Sequence, residues 1–382
     1  MLGGACGRLS MAVGLVAVVV LAMACRGGSD PLVITPSPTI TPGAVGTITA
    51  VGKIAFINPS GELALTDPDG TAQQVLSDFD GVVAFEWSPA GSLIAAEVEE
   101  GGAKSIAVLN LDGGLVFEIA GGEAPVWSPT GDKLVAVRSD DALVVDVEGR
   151  ELLSLPGAQR PEWSPDGSQL AYLEQADDGL AVPVIVTLDS GEKHQFPDEF
   201  EPAELIFPIL WRPTGELIAY KDALYEPATE SVEPLGGVPV FWSPDGRLLL
   251  QTVDTDPETG STTAQILDFS QDGRVTIGLE VRPSTSGEPP WLYIERWTNW
   301  STDGRILVYM DPQPFAVQVR VYDTIAITQD RYRNIQGTEP EVSPSGEHIA
   351  FFDGGRVWIF ALDATALVDI VDGTRPAWRP AQ

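Results

Sequence analysis

Acidic residues alternate along one short stretch of the sequence and offer the oxygen ligands that a calcium ion would need. Asp254, Asp256 and Glu258 stand at every second position there. An EF-hand calcium loop also needs Gly at its sixth position and Glu at its twelfth, where this chain has Thr259 and Gln265. A hairpin loop closed by Asp side chains is therefore the better interpretation. We predict no cofactor, with Ca²⁺ at this loop as the alternative.

Histidine is the side chain most often used for acid–base catalysis, and the chain contains two. His194 follows a turn at Gly191 and His348 follows a turn at Gly346, so the two belong to turns far apart in the sequence. This spacing argues against a His-dependent triad or a His metal site. The sequence also lacks a G-x-S-x-G elbow and a Gly-rich phosphate loop after a strand. It favours a protein that is not an enzyme, with a carboxylate- or metal-dependent hydrolase or lyase as the alternative.

Three aromatic residues stand in a stretch rich in Pro, Ser and Gly over residues 282–300. They are Trp291, Tyr293 and Trp297. Long connections in compact folds are usually functional or disordered. Three aromatics favour an ordered contact, and the sequence leaves open whether they bind a ligand or cover a neighbouring element.

The elements that must position these residues are marked by a repeated pattern, Trp-Ser-Pro-Asp-Gly, complete at Trp163–Gly167. Ser and Pro suit the first corners of a β-turn, and Gly allows the positive φ that closes it. Each copy therefore predicts a hairpin. Pro161, two residues before Trp163, cannot donate a ladder hydrogen bond, which makes the Trp strand an edge strand. The structural tryptophans of the repeat are Trp87, Trp127, Trp163, Trp211, Trp242, Trp300 and Trp378, and Val342 takes their place in one further copy.

The spacing of the copies predicts the architecture. From Trp87 to Trp378 the mean period is about 42 residues, and periods of roughly 40–45 residues are typical of four-stranded propeller blades. We predict an all-β, eight-bladed β-propeller of four-stranded antiparallel blades, with seven blades as the alternative. The last copy, at Arg375–Trp378, has no second strand after it, so it should pair with the strands of residues 53–76 and close the ring. One tryptophan at a fixed place in each repeat is expected to pack between blades.

The Trp-Ser-Pro-Asp-Gly hairpins and their spacing resemble the WD40-like (PD40) repeat of TolB-type β-propellers, over about residues 51–382. The same repeat is found in the propeller half of prolyl-oligopeptidase-type peptidases. The resemblance implies the propeller fold and says little about function, because this fold hosts many roles.

The first residues have the pattern of an export signal. Arg8 is followed by an apolar run up to Leu21 and then by small residues, which predicts a secretory signal peptide over residues 1–24. Cys25 stands where a bacterial lipobox places its lipidated Cys, so we expect a lipid anchor there. The alternative is an uncleaved signal anchor, but a run of about 15 apolar residues is shorter than the roughly 20 that span a bilayer.

A tether rich in Pro, Thr, Ser and Gly follows over residues 25–50, and residues 51–382 form the propeller. The only other cysteine, Cys6, belongs to the signal peptide, so the mature propeller is expected to have no disulfide. These features predict an exported protein. It would be lipid-anchored on the outer side of the cytoplasmic membrane, or in the periplasm or cell envelope.

The chain is strongly acidic, with 55 Asp and Glu against 22 Lys and Arg and a formal net charge of −33. Such a surface repels phosphates and anionic lipid head groups, which excludes nucleic-acid binding and limits membrane contact to the N-terminal lipid. It suits a basic or carbohydrate-like partner, although solubility alone would also account for it.

The connections between strands suggest where a partner binds. In a four-stranded antiparallel blade, the first-to-second and third-to-fourth turns lie at one end, and the second-to-third turns and the crossings to the next blade lie at the other. Tight turns occupy the first end, and the longer connections of the second end are Gln175–Ala181, Pro197–Glu204, Val253–Ser261, Val281–Trp291 and Asp311–Phe315. Binding residues concentrate on loops of a rigid scaffold. The candidates are Asp177, Asp178, Asp254, Asp256, Glu258, Trp291, Tyr293 and Trp297.

The sequence as a whole predicts an envelope-anchored, non-enzymatic binding scaffold. Its expected partner is a protein, a peptide or a glycan.

Overall fold

The computed structural model describes residues 52–139, 141–175, 181–197, 208–255, 262–270, 275–281, 298–313, 316–325, 328–329, 335–363 and 366–381. All of these residues belong to the larger of the chain's two compact units, residues 37–382. Within the described ranges, no helix has the length and apolarity needed to cross a membrane.

Regular structure in the described ranges consists of strands. The first sixteen are β1 (Ile54–Ile57), β2 (Leu63–Thr66), β3 (Gln74–Val75), β4 (Val82–Trp87), β5 (Leu93–Glu100), β6 (Ala103–Asn110), β7 (Leu115–Ala120), β8 (Gly122–Trp127), β9 (Lys133–Arg138), β10 (Asp141–Asp146), β11 (Glu151–Leu155), β12 (Ala158–Trp163), β13 (Gln169–Gln175), β14 (Ala181–Thr187), β15 (Lys193–Gln195) and β16 (Ile209–Trp211). The others are β17 (Ile218–Tyr220), β18 (Ala223–Glu226), β19 (Ser231–Pro234), β20 (Val238–Trp242), β21 (Leu248–Thr255), β22 (Thr262–Asp268), β23 (Val275–Val281), β24 (Thr298–Trp300), β25 (Ile306–Gln313), β26 (Ala316–Asp323), β27 (Thr328–Gln329), β28 (Thr338–Val342), β29 (His348–Asp353), β30 (Arg356–Ala361), β31 (Leu367–Asp372) and β32 (Thr374–Trp378).

These strands form eight four-stranded antiparallel sheets, each a blade of an eight-bladed β-propeller. Blades 1 to 7 follow the chain in groups of four, from β4–β7 to β28–β31, and blade 8 combines β32 with β1, β2 and β3. The Trp strand is the first strand of its blade and lies at a sheet edge, as predicted. First strands of successive blades contact each other, as β12 with β16 and β28 with β32 do, so these strands surround the axis. The prediction of eight blades is confirmed, and the alternative of seven is wrong.

The core is divided among the junctions between blades. Second and third strands such as β1 and β2 are buried along their whole length, because each blade is covered on both faces by its neighbours. This explains their continuous apolar sequences. The described residues form eight buried apolar clusters, one at each blade junction; between blades 1 and 2, for example, Ile106 packs with Trp127 and Leu143. Fourth strands such as β15 are exposed.

The repeat motifs of blades 1 to 7 form the predicted hairpin turn. In blade 1 the N–H of Gly91 donates to the carbonyl of Ser88 at 2.7 Å, and the hydroxyl of Ser88 accepts the N–H of Leu93 at 3.0 Å. Gly91 has a φ of 61°, in the left-handed region that favours glycine. The backbone bond from Gly to the first corner recurs in blades 2 to 7 at 2.8 Å. The serine hydroxyl therefore replaces a ladder partner that the turn would otherwise leave unpaired.

The motif tryptophans lie between blades, and each is 4 to 8% exposed. Five of the seven donate the indole N–H to the preceding blade, at the carbonyl of the residue just before its own motif position. These bonds are Trp87 to Ala377 (3.2 Å), Trp127 to Glu86 (3.4 Å), Trp163 to Val126 (3.0 Å), Trp242 to Leu210 (3.3 Å) and Trp378 to Glu341 (3.2 Å). Trp211 instead bonds the carbonyl of Gly215 in its own turn. Within the described residues, the indole N–H of Trp300 has no hydrogen-bond partner.

The ring closes as predicted, by pairing of the last strand with the first. β32 pairs antiparallel with β1, with Trp378 opposite Ile54. Beyond the strand, the N–H of Arg379 donates to the carbonyl of Lys53 at 2.8 Å. The closing blade therefore contains strands from both ends of the propeller sequence.

Two copies of the motif have Arg where the others have Ser, and the structure gives both a shared role. The Nε of Arg379 donates to the carbonyl of Gly91 at 2.7 Å, and the Nε of Arg212 donates to that of Gly246 at 2.8 Å. Each guanidinium thus links the end of the first strand of its own blade to the motif turn of the next blade. Arg212 also stacks over Trp242, 5.4 Å from the ring centre.

Two of the predicted connections are wrong in their bounds. Asp254 is not in a loop but in β21, at a register shift between Val253 and Thr255 where the strand bulges. The segment from Asp311 is not a loop either, because β25 continues to Gln313 and pairs with β26 along its length. Both predictions began the connection too early, whereas the strands extend to Thr255 and Gln313.

Replacing Trp378 with Ala should lower the free energy of unfolding by about 3–5 kcal/mol. The indole fills the junction between blades 7 and 8, and its N–H pairs with the Glu341 carbonyl. Denaturant titration would measure the loss. Phe241→Ala is the matched control, since Phe241 lies in another first strand but is 37% exposed. Equal midpoints for Trp378→Ala and the unchanged protein would contradict the proposed role of this residue in closure.

Candidate functional site

The two ends of the propeller differ in their connections. The end with the first-to-second and third-to-fourth turns is called the turn face here, and the end with the second-to-third turns and the crossings between blades is called the crossing face. The motif turns on the turn face share one closed geometry. The two longest intervals between consecutive strands, from Gln195 to Ile209 and from Val281 to Thr298, each separate the fourth strand of one blade from the first strand of the next.

The first strands also present side chains toward the axis. In β12, Trp163 and Pro161 are buried while Glu162 and Arg160 are partly exposed, and the same alternation holds in β28 and β32. The residues one and three positions before the motif tryptophan therefore form a partly exposed surface around the axis, called the axial wall. The residues one position before are Glu86, Val126, Glu162, Leu210, Phe241, Asn299, Glu341 and Ala377.

Three glutamates, Glu86, Glu162 and Glu341, stand one position before the motif position in the axial wall. Loss of water around Glu86 raises the pKa of its carboxyl group to about 8, and the charge of Glu162 adds to that rise, while the backbone N–H of Trp127 opposes it. The interaction of Glu86 with Glu162 joins blades 1 and 3 across blade 2, which places both side chains around a common space. Burial also raises the pKa of Glu341 to about 8. Near neutral pH these two groups hold a proton, which a bound cation would displace.

A second feature of the axial wall is strained backbone. Ala124, Arg160, Glu339 and Arg375 each stand three positions before the motif position and have φ values of 49° to 56°. Such left-handed geometry at a residue with a side chain costs on the order of 1–3 kcal/mol and clusters at functional sites. A register shift accompanies each of them. The strain therefore recurs at one place in four blades.

Carboxylates accept hydrogen bonds from the N–H groups of two strained residues. The N–H of Arg375 donates to Glu339 at 2.6 Å, and the N–H of Ala124 donates to Glu97 at 3.1 Å. In both pairs the carboxylate belongs to the preceding blade. The bulges are thus fixed by contacts between blades as well as by the strands themselves.

The sequence contained a signal for these bulges that pattern analysis assigned to strand edges alone. Pro125, Pro161, Pro340 and Pro376 directly follow the four strained residues. Proline has no N–H to donate to the neighbouring strand and restricts the residue before it. A proline two positions before the motif tryptophan thus marks the blades whose axial residue is strained.

The predicted binding residues divide into one that is described and seven that are not. Asp254 lies in β21, at the crossing-face end of blade 5. The predicted residues Asp177, Asp178, Asp256, Glu258, Trp291, Tyr293 and Trp297 lie outside the described residues, as does Cys25. The assignment of those seven binding residues to the crossing face therefore stays a prediction.

In the part of the chain that the structure describes, the two histidines do not form a common site with each other or with a metal-binding cluster. The Nε2 of His194 is 3.0 Å from the hydroxyl of Tyr225, and His348 lies in blade 7, where burial lowers its pKa. No group of three or more His, Cys, Asp or Glu residues within those ranges could hold a metal ion. The loop considered for Ca²⁺ falls mostly outside them, so that alternative stays a prediction.

No protein-family model matches the chain, and no curated protein matches it. Solved structures are similar in fold. A eukaryotic initiation factor has a TM-score of 0.54 at 12% identity, over 87% of this chain and 99% of that chain. Oligogalacturonate lyase from Vibrio parahaemolyticus has a TM-score of 0.50 at 12% identity, over 79% and 95% of the two chains. TolB from Acinetobacter baumannii has a TM-score of 0.35 at 14% identity, over 76% and 82%.

These likenesses show the β-propeller fold alone, and the score with TolB is too low to carry an argument. The predicted propeller fold is therefore supported. The similar structures belong to proteins of different kinds, which agrees with the expectation that this fold does not determine a function.

Glu86→Gln should flatten the pH dependence of stability. The raised folded pKa means that the folded chain holds a proton which the unfolded chain, with a pKa near 4.5, has released. The free energy of unfolding therefore falls as pH rises from about 4.5 to about 8. Removing Glu86 should reduce that fall by about half, since Glu341 still titrates there, and should raise the Tm at pH 8.5 by about 2 °C. Thermal unfolding from pH 4.5 to 8.5 measures both effects. Exposed Glu118→Gln is the control, and a slope equal to its slope would contradict the assignment.

Proposed function

We propose that the chain is a non-enzymatic binding propeller, held at the cell envelope by its N-terminus, that takes a basic segment of a protein partner at its crossing face. The observation that carries this proposal is the difference between the two ends of the propeller. One end is a ring of similar closed turns, and the other holds the strained ends of the axial wall.

The strained residues support a role in binding. They bring Arg160, Glu339 and Arg375 to the crossing-face part of the axial wall, where Arg375 is exposed. Backbone strain of this kind is retained where the surrounding structure holds a side chain in a particular direction. Because each blade is fixed by buried contacts to two neighbours, the wall is already ordered before a partner arrives. An ordered site loses less conformational entropy on binding.

Charge supports a basic partner. The chain carries a formal net charge of −33, and Glu86, Glu162 and Glu341 line the deeper part of the axial wall. A lysine or arginine side chain entering the wall would displace the protons that Glu86 and Glu341 hold near neutral pH. Binding should therefore weaken with added salt and release protons. A glycan partner would show neither effect.

The enzymatic alternative, a hydrolase or lyase that uses carboxylates with a metal, is favoured by no observation of the described residues. The chain's fold likeness to oligogalacturonate lyase is at 12% identity and concerns the fold. The alternative remains a prediction from the sequence.

Photo-crosslinking in cells would test the binding face. A photoreactive phenylalanine would replace Val83 or Ala90, which are both exposed and lie at opposite ends of the first strand of blade 1. Val83 is on the crossing face and Ala90 is in the turn. We expect adducts with a protein partner from position 83 and none from position 90. Adducts from position 90 alone, or from neither position, would refute the proposed face.

Membrane anchoring has its own test. If Cys25 is lipidated, Cys25→Ser should move the protein from the membrane fraction to the soluble exported fraction, and the mature chain should lose the mass of the attached lipid. Cys6→Ser is the matched control, because Cys6 belongs to the predicted signal peptide and should leave both properties unchanged. Continued membrane retention of Cys25→Ser would support an uncleaved signal anchor instead.

A further inference from the structure

A pocket of about 570 Å³ lies on the face of blade 1 that is turned toward blade 8. It opens at the crossing face, because its wall includes Glu100 and Ala103 beside the β5–β6 turn and Gly121 at the crossing to blade 2. Phe79, from the crossing between blades 8 and 1, forms the opposite wall. The volume is in the range of roughly 300–1,000 Å³ that is typical of ligand sites.

Two features of the chain leave this space empty. The fourth strand of blade 8, β3, has two residues and ends at Val75, so it leaves the outer part of blade 1 uncovered. The side chains of blade 1 that face the gap are also small. Ala107 pairs with Ala96 at the register where Leu143 pairs with Ala136 in blade 2.

The walls of the pocket are mainly apolar. Val98, Ala107 and Phe79 line its depth, and Leu115 of β7 stands at its outer side. Leu115 is 56% exposed. Burial of such a surface by a partner would be favourable, by roughly 25 cal/mol for each Å² removed from water.

The strand beside the pocket has a free edge. β7 is the outermost strand of blade 1 and pairs with β6, which leaves its other edge open among the described strands. Its six residues, Leu115–Ala120, make it one of the longer fourth strands. An extended segment can add to such an edge through backbone hydrogen bonds, with its alternate side chains entering adjacent pockets.

The rim of the pocket is acidic. Glu100 and Glu118 line it and are exposed. The one basic side chain in its lining, Lys104, is paired with Glu123 and also lies near Glu97 and Glu99. A basic segment therefore complements this rim, and an acidic one would be repelled.

We propose that this pocket binds an aromatic side chain of an extended, basic segment of a protein partner, which adds to the edge of β7. The inference rests on the proposed function and identifies a second contact for the same partner, outside the axial wall. The apolar depth would receive the aromatic ring, the edge of β7 would order the backbone, and Glu100 and Glu118 would face the flanking basic residues.

A defined peptide would test the inference on the full-length protein. The probe is a fluorescein-labelled seven-residue peptide of alternating Lys and Thr with Trp at its centre, measured by fluorescence anisotropy. Peptides with Glu in place of Lys, or Ser in place of Trp, test the charge and the ring. We expect each change to weaken binding by at least about tenfold.

Variants of the protein complete the test. Ala107→Leu places in blade 1 the side chain that blade 2 has at this register, and it should weaken peptide binding by about tenfold or more with little change in Tm. Ala223→Leu is the matched control, because Ala223 pairs with Tyr220 at the same register of blade 4. Glu118→Lys, on the exposed rim, provides a second variant that does not alter the core and should also weaken binding.

Several outcomes would overturn the inference. Peptide binding that Ala107→Leu and Glu118→Lys leave unchanged would do so, as would binding of free indole without the peptide. A dimer that Ala107→Leu abolishes would make a second copy of this chain the occupant. Adducts at position 83 without peptide binding would refute the pocket alone. Peptide binding without those adducts would refute the proposed function alone.

Discussion

Hydrogen bonds from the motif tryptophans to the preceding blade are the interaction on which the arrangement of the blades depends. The indole fills the junction, and its N–H must find a partner there, since a buried polar group without one is costly. The partner is the carbonyl of the residue whose side chain lines the axis, as at Glu86 and Glu341. One residue therefore contributes its backbone to the junction and its side chain to the axial wall. A change in the backbone at such a residue would therefore affect both the packing between blades and the side chain that lines the axis.

Most of the fold could be predicted from the sequence because its repeat leaves few alternatives. Each Trp-Ser-Pro-Asp-Gly copy specifies a turn, the period specifies four strands, and the unmatched strand at Arg375–Trp378 specifies closure. The errors came from strand ends. Asp254 and Asp311 were assigned to the connections Val253–Ser261 and Asp311–Phe315, yet backbone pairing with the neighbouring strand continues past both. Pairing depends on the partner strand, which local composition does not describe.

The site was less accessible to sequence analysis. Strand counting predicted a face with long connections, but the axial glutamates were not found. Glu86 and Glu162 are separate in sequence and approach each other only through the arrangement of the blades around the axis. Their period is that of the tryptophans, and the position before each tryptophan could have been compared across copies. The pocket beside β7 depends on the two-residue length of β3 and on small side chains from three strands, a combination that no single motif records.

The indole hydrogen bonds between blades are unevenly distributed around the ring, so some junctions are held more firmly than others. Four consecutive junctions, from blade 7 through blades 8, 1 and 2 to blade 3, each have an indole bond. Blade 6 has none on either side, since Trp300 finds no partner among the described residues and blade 7 has Val342 in the motif position. Blade 6 is therefore held by fewer indole hydrogen bonds than the other blades, and a described link of another kind is the bond from the N–H of Val342 to the Oδ1 of Asn299 at 3.4 Å. The three axial glutamates and the pocket all belong to blades 7, 8, 1, 2 and 3, whose junctions have indole bonds. A ligand there would therefore meet a rigid surface.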